Sequence, residues 1–316
     1  MLLLFLGVEM SNSLDGKVIL GDILSVCPTL PNHLFQTIIT SPPYFGHRHY
    51  SNSHDPREIG QESDPSQYIE NLVCIFRDLR QKLRSDGLLW LNLGDTYRDK
   101  SLLGIPWRVA LALQGDKWIL RSDVIWHKPN AMPSSVTDRP TTDHEYLFMF
   151  AATPNYYYDA DAIREPHVTF TEKSKMRGGR SHFGKVGGTP EAGKNAGNGN
   201  LHDGRWDQAF NPKGRNKRTV WEIPLSKFRD THFAVYPEKL VETCILASTR
   251  EDDFVFDPFT GSGTTGVVAN KLSRRFVGVE LVREYQIMAQ KRIDDARAQP
   301  RLFQMSPAIS AVHLEG

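Results

Sequence analysis

Between Asp257 and Gly266 the chain reads Asp257-Pro-Phe-Thr-Gly261-Ser-Gly263-Thr-Thr-Gly266, between an apolar run, Phe254 to Phe256, and a helical stretch, Ser262 to Leu272. A Gly-x-Gly-x-x-Gly turn in that setting commits the region to a strand, a sharp turn and a helix whose first N–H groups face outward. A second strand, Phe276 to Glu280, follows and ends on an acid.

The same alternation runs through most of the chain. Lys17 to Leu20 and Gln36 to Ile39 read as buried strands rich in β-branched residues. From Ser66 to Arg84 the apolar residues Ile69, Leu72, Val73, Phe76, Leu79 and Leu83 fall at helical spacing, with Asp64-Pro65 as the start and Asp86-Gly87 as the stop. Strands are expected at Leu88–Leu93, Trp118–Trp126 and His144–Ala151, with a helix over Pro106–Leu113. Regular structure resumes near Thr219-Val-Trp-Glu222. It continues with a helix over Pro237–Ser248 and a last helix through about Ala296. Strands alternating with helices predict a doubly wound, mostly parallel α/β sheet.

Composition adds constraints. The net charge is +1, but residues 171–218 hold eleven Lys/Arg against four Asp/Glu, with ten glycines. A long, basic, glycine-rich segment inside an otherwise balanced chain points to an anionic partner. The three cysteines, Cys27, Cys74 and Cys244, form no Cys-x-x-Cys pair. That excludes a zinc ribbon or disulfide framework, and the cysteine usage fits the cytoplasm. No apolar run approaches the ~18 residues of a membrane span. Residues 1–14 read as a disordered extension, or as an over-long start with Met10 as the first residue.

Glycines at 261 and 263 let the backbone approach a ligand, and Glu280 can accept hydrogen bonds from both hydroxyls of a ribose. In nicotinamide enzymes the first glycine directly follows the strand and receives a pyrophosphate. Here Asp257-Pro-Phe-Thr260 intervenes. An Asp at the strand tip repels phosphate and suits a cationic amino group. S-adenosylmethionine, which has no phosphate, therefore fits better than a dinucleotide, and no metal is expected.

Thr40-Ser-Pro-Pro-Tyr44 follows a buried strand and so belongs at the carboxyl edge of the sheet. Pro42 and Pro43 stiffen the turn and remove two donors. The Ser41 oxygen and the Pro42 carbonyl can then accept the two hydrogens of an amine on an aromatic ring. Its nitrogen becomes more tetrahedral and its lone pair more localised, while Tyr44 offers a face for stacking. Without the glycine turn, the same four residues would read as an ordinary rigid loop.

With both motifs in hand, the chain resembles the amino-methylating DNA methyltransferases in their circularly permuted β arrangement, catalytic motif ahead of cofactor motif. The likeness covers roughly residues 15–165 and 219–292. It implies a seven-stranded Rossmann-like methyltransferase sheet with one antiparallel strand, plus an inserted target-recognition region. The implied divisions are a catalytic half at 15–163, the insert at 164–218, a cofactor half at 219–298 and a tail at 299–316. Ser-Pro-Pro-Tyr is typical of the cytosine-N4 members, whereas Asp or Asn in place of Ser is typical of adenine-N6 members.

By the same resemblance, the cofactor would be S-adenosylmethionine, held by Asp22, Thr40, Phe233, Tyr236, Pro237, Asp257, Pro258, Phe259, Gly261, Ser262, Gly263, Thr264, Thr265 and Glu280. Catalysis would fall to Ser41, Pro42, Pro43 and Tyr44. Asp95, in Leu93-Gly-Asp95, reads equally as a helper that orients Ser41 and as a turn-former or helix cap. Arg139-Pro140 and His144-Glu145 resemble the family's segment around the target base. Ring-carbon methylation is disfavoured, because it needs a Pro-Cys nucleophile and Cys27 precedes Pro28.

Double-stranded DNA is the implied partner, and the basic segment is its expected reader. Arg177, Arg180, Lys185, Arg205, Lys213, Arg215, Lys217 and Arg218 would take phosphates and base edges, and Arg205-Trp206 and Phe210 could anchor the segment. A companion restriction endonuclease and the choice between monomer and dimer stay open. So do a solvated loop unrelated to DNA, an RNA or small-molecule amine substrate and, from another class, a nicotinamide oxidoreductase.

Overall fold

The computed structural model describes residues 13–47, 55, 57–167, 211, 213–225 and 236–299. Phe233, Arg177, Arg180, Lys185, Arg205, Trp206 and Phe210 lie outside the described residues, as do residues 1–12 of the expected extension. Contacts divide the chain into two units, Met1–Tyr158 with Thr219–Gly316, and Asp159–Arg218.

In the first unit, β1 (Lys17–Leu20) leads into a short helix α1 (Ile23–Val26) and then β2 (Phe35–Thr40). Helix α2 (Pro65–Lys82) starts where the Asp64 carboxylate accepts the Ser66 N–H at 2.7 Å and proline occupies the first turn. Its residues Tyr68, Ile69, Leu72, Ile75, Phe76 and Leu79 are buried on one face. Next come β3 (Leu83–Leu93), a hairpin of β4 (Tyr97–Arg98) and β5 (Ser101–Leu102), helix α3 (Ile105–Gly115), β6 (Ile119–His127) and β7 (His144–Ala151). Thr219 onward supplies β8 (Val220–Glu222), α4 (Glu238–Ser248), β9 (Phe254–Asp257), α5 (Thr264–Lys271), β10 (Arg275–Glu280) and α6 (Arg283–Ala298).

One sheet collects eight of these strands in the order β1-β10-β9-β2-β3-β7-β6-β8. All adjacent pairs are parallel except those made by β7, which runs against both β3 and β6. The sheet is thus the mostly parallel one expected, with one antiparallel strand, but it has eight strands rather than seven. The eighth is β8, three residues at the edge, whose Trp221 is buried while its neighbours stay exposed. The central strands are sequestered on both faces. Every residue of β2 is buried, and Phe35 stacks on Phe256 of β9 with ring centroids 4.4 Å apart. Helix α2 stops at Lys82, two residues before the expected end, because Leu83 already pairs with Phe35 as the first residue of β3.

The pairing of β2 with β9 sets the position of the site. Thr37 lies opposite Val255 and Ile38 opposite Phe256, so the two strands end side by side at one edge of the sheet. Leu20 and Glu280, the last residues of β1 and β10, are paired at that edge as well.

In the second unit, Glu165 and Arg215 form an antiparallel bridge, exchanging N–H···O bonds of 2.9 and 2.8 Å. The Glu165 carboxylate also pairs with Arg215 at 3.2 Å and Lys217 at 3.4 Å, and Asp161 pairs with Arg164 and Lys213.

Candidate active site

A cavity of about 300 Å³ opens at the carboxyl edge of the sheet. Ser41, Pro43 and Tyr44 line it from the end of β2, and Pro258 to Ser262 line it from the turn after β9. Asp22, Glu280, Tyr236 and Thr264 are on its wall too. The two motifs, more than two hundred residues apart in the chain, therefore face one space. Pro42, Thr40, Asp257, Gly263, Thr265 and Pro237 adjoin these residues in the chain or by hydrogen bonds but do not themselves line the cavity.

Asp257 occupies a different place from the one expected. It is fully buried rather than turned to the cleft. Its Oδ1 accepts from Thr40 Oγ1 at 2.7 Å and Phe259 N at 3.1 Å, and its Oδ2 accepts from Thr265 Oγ1 at 2.6 Å and Tyr236 Oη at 3.0 Å. With four donors inside the protein, it organises the turn instead of meeting a cationic ligand. Burial pushes its carboxyl above the usual range, opposed by those donors, and burial followed by the Asp257 charge pushes the Tyr236 phenol well up.

Glu280 does reach the cleft. Its oxygens accept from Gly261 N at 2.8 Å and Val282 N at 2.9 Å, which leaves lone pairs for a ligand. Burial raises its pKa to about 7, partly offset by these backbone N–H groups. Asp22, just after β1, lines the same space, as do Ile23, Phe259, Leu281 and Val282 with their apolar surfaces. Gly263 needs its identity twice over. Its φ is +84°, and an added Cβ would lie 3.0 Å from the Ala289 backbone of α6.

At the other end of the cleft, Ser41 Oγ donates to Tyr44 Oη at 3.1 Å, and Tyr44 Oη donates to Glu145 Oε2 at 2.7 Å. Asn92 Nδ2 lies 2.7 Å from both Tyr44 Oη and Glu145 Oε2 and 3.4 Å from Ser41 Oγ. Lys128 Nζ forms an ion pair with Glu145 Oε1 and sits 4.5 Å from the centre of the Trp126 ring. Burial, then the Glu145 charge, push the Tyr44 phenol well above its ordinary range. The Tyr44 ring lies against Gly94, where an added Cβ would be 2.6 Å from its Cε2.

Asp95 does not touch Ser41. Its Oδ1 accepts from Thr96 N at 2.9 Å and from Ile105 N, the first residue of α3, at 3.0 Å. That is the turn and helix-start reading, not the helper one. Asn92, which contacts Tyr44, and Lys128, which pairs with Glu145, were missed in the sequence, whereas Glu145 was singled out there without a role. The available signal was a single polar residue, Asn92, inside the apolar run Leu88-Leu-Trp-Leu-Asn-Leu93. His144 pairs with Asp143 at 3.3 Å, and Arg139 stacks on Tyr97 at 3.9 Å, both outside the cleft lining. None of the three cysteines lines the cleft.

Comparison with known proteins gives a consistent result. Residues 35–291 match the sequence model of the DNA methylase family N6_N4_Mtase. The chain is 37% identical over 312 residues to the Type II methyltransferase M.SmaI of Serratia marcescens, covering 90% of this chain and 92% of that protein. It is 39% identical over 302 residues to the Type II methyltransferase M.Cfr9I of Citrobacter freundii, covering 86% of each. Among solved structures, the cytosine-N4-specific PvuII DNA methyltransferase superposes with a TM-score of 0.61 at 18% identity, over 90% of this chain and 93% of the other. The Thermus thermophilus protein TTHA0409, complexed with S-adenosyl-L-methionine, gives 0.57 at 21% identity, over 89% and 94%.

Proposed function

The chain belongs to the N6/N4 family of DNA methylases, and from that premise we propose that it methylates the exocyclic N4 amine of cytosine in double-stranded DNA, with S-adenosylmethionine as donor. The observation that carries this reading is the shared cleft: Ser41 and the Gly261 turn line one space, with the Ser41 proton donated to Tyr44.

The donor fits the residues at its end of the cleft. Glu280 has acceptor capacity for ribose hydroxyls, and Asp22 stands beside the place expected for the adenine. The apolar surfaces of Ile23, Phe259, Leu281 and Val282 in the same lining suit a planar ring. Two carboxylates at this end, against a turn that carries no Lys or Arg between Asp257 and Gly266, favour a phosphate-free ligand over a dinucleotide. When bound, S-adenosylmethionine supplies an electrophilic methyl group on its sulfonium.

The chain's own part is to hold the target amine. Ser41 Oγ and the Pro42 carbonyl accept its two hydrogens, which concentrates the nitrogen lone pair on the side away from the ring. In a duplex that amine is paired and stacked, so the base must leave the helix, at a cost of roughly a few kcal/mol offset by contacts in the pocket and to phosphates. The basic residues of the second unit are assigned to those phosphates. A companion restriction endonuclease with the same recognition sequence is a candidate partner. Among the described residues, no helix is long and apolar enough to cross a membrane.

Serine as the first residue of Ser-Pro-Pro-Tyr supports cytosine over adenine. Incubation of duplex DNA with methyl-labelled S-adenosylmethionine, followed by nucleoside mass analysis, tests the reading. N4-methylcytosine is expected. N6-methyladenine would transfer the assignment to the second reading, adenine-N6 methylation, and no label in DNA would remove both.

A further inference from the structure

The hydrogen bonds around Tyr44 run in one direction, and one residue imposes it. Ser41 donates to Tyr44, and Tyr44 donates to Glu145. Glu145 offers no proton in return, because a carboxylate in an ion pair is an acceptor only. Lys128 holds its other oxygen. The side chains of Lys128 and Glu145 are 15% and 16% exposed, so the pair is shielded enough for removal of one partner to be felt by its neighbours.

Asn92 supplies a second, independent sign of the same polarity. Its amide nitrogen points at Glu145 and Tyr44, while its Oδ1 is buried without a protein partner. Turning the amide over would place Oδ1 against the Glu145 carboxylate. The side chain thus tolerates an unsatisfied acceptor, which ordinarily costs about 1–3 kcal/mol, in order to donate toward this carboxylate.

We propose that Glu145 is a positioning residue that fixes Ser41 as a hydrogen-bond acceptor toward the cleft: it takes the Tyr44 proton, which makes Tyr44 the acceptor for the Ser41 proton and leaves the Ser41 oxygen to receive a hydrogen of the target amine. Were the direction reversed, Ser41 would present its own hydrogen to the amine and the clamp would repel what it must hold. The elevated Tyr44 pKa agrees with this, since Tyr44 keeps its proton and relays orientation rather than charge. The role that sequence spacing offered to Asp95 falls to Glu145, on β7. The inference rests on the methyl-transfer reading above.

The test uses the full chain with Glu145→Gln, Tyr44→Phe and both together. Gln keeps the shape but can donate to Tyr44, and Phe keeps the ring against Gly94 while removing the relay. Under single turnover with saturating labelled S-adenosylmethionine and duplex DNA, each single variant should lose at least about tenfold in methylation rate, with donor and DNA affinities within about twofold of wild type. The double variant should be no slower than the slower single one, because both changes break one chain. Full rate in either single variant, or rate losses that multiply in the double, overturns the proposal. If Glu145→Gln does not fold, Tyr44→Phe alone decides: a tenfold loss supports the relay and an unchanged rate overturns it. A wild-type protein that labels no duplex removes the methyl-transfer reading and this proposal with it. An active wild type beside a fully active Glu145→Gln removes the proposal alone.

Discussion

Thr40 and Asp257 stand 217 residues apart in the chain, and Thr40 Oγ1 donates to Asp257 Oδ1 at 2.7 Å where β2 and β9 end side by side. This bond ties the strand that precedes the Ser-Pro-Pro-Tyr turn to the strand that precedes the glycine turn. Asp257 accepts from three hydroxyls and one N–H, so Asp257→Ala leaves several buried donors unmatched. A loss of at least about 3 kcal/mol is expected, against about 1 kcal/mol for Thr40→Val. Urea denaturation of the two variants measures this, and an unshifted Asp257→Ala midpoint would contradict it.

Glu280 predicts a pH dependence. Its folded pKa is raised from 4.5 to about 7, so the stability linked to its protonation is fully present below pH 4.5 and is lost as pH rises through about 7. Glu280→Gln removes that dependence. Its thermal stability should gain on wild type between pH 5 and 8, by up to about 3 kcal/mol. If the donor's ribose binds the ionised carboxylate, wild-type affinity should rise about tenfold from pH 6 to 8, and the variant's should stay flat. Isothermal titration at both pH values reads this, and parallel curves for the two proteins would exclude Glu280 as the titrating group.

Gly94→Ala tests the seat of Tyr44. The new methyl would lie 2.6 Å from the Tyr44 ring, so the ring must move and draw its hydroxyl away from Ser41 and Glu145. Overpacking of this kind costs about 1–3 kcal/mol. Turnover should fall at least about tenfold while donor affinity holds. Wild-type turnover in Gly94→Ala would mean that Tyr44 can shift without consequence.

In the second unit, Lys213 pairs with Asp161, and Arg215 and Lys217 pair with Glu165. These cations must exchange carboxylates for phosphates if they read DNA. Replacing Lys213, Arg215, Lys217 and Arg218 together with Ala should therefore weaken duplex binding and lower the slope of log affinity against log salt by roughly 1 to 3, at ~0.9 per phosphate contact. Fluorescence anisotropy at several salt concentrations measures both, and an unchanged slope would remove these residues as the phosphate readers.

Much of the fold was legible because its elements are local. Lys17–Leu20 and His144–Ala151 are strands with the limits that their apolar runs suggest. The hairpin Tyr97–Leu102 was not legible. Its turn bends through Asp99 and Lys100 at φ +50° and +65°, and without glycine it carries no ordinary turn signal. Regular structure was expected near Thr219-Val-Trp-Glu222, but β8 is too short to show the period that would mark it as a strand. The site divides in the same way. Ser41 to Tyr44 and Gly261 to Gly263 are contiguous motifs, whereas Asn92 and Glu145 meet Tyr44, and Lys128 meets Glu145, only through the pairing of β3, β7 and β6. Asp95 was overvalued because it lies close to the clamp in the chain, while its carboxylate serves the backbone.

A crystal structure of the protein with S-adenosylmethionine asks the central question most directly. The adenosine is expected near Asp22 and Glu280, with the sulfonium methyl turned toward Ser41 and Tyr44. A donor bound outside this cleft, or with its methyl facing away from Ser41, would contradict it.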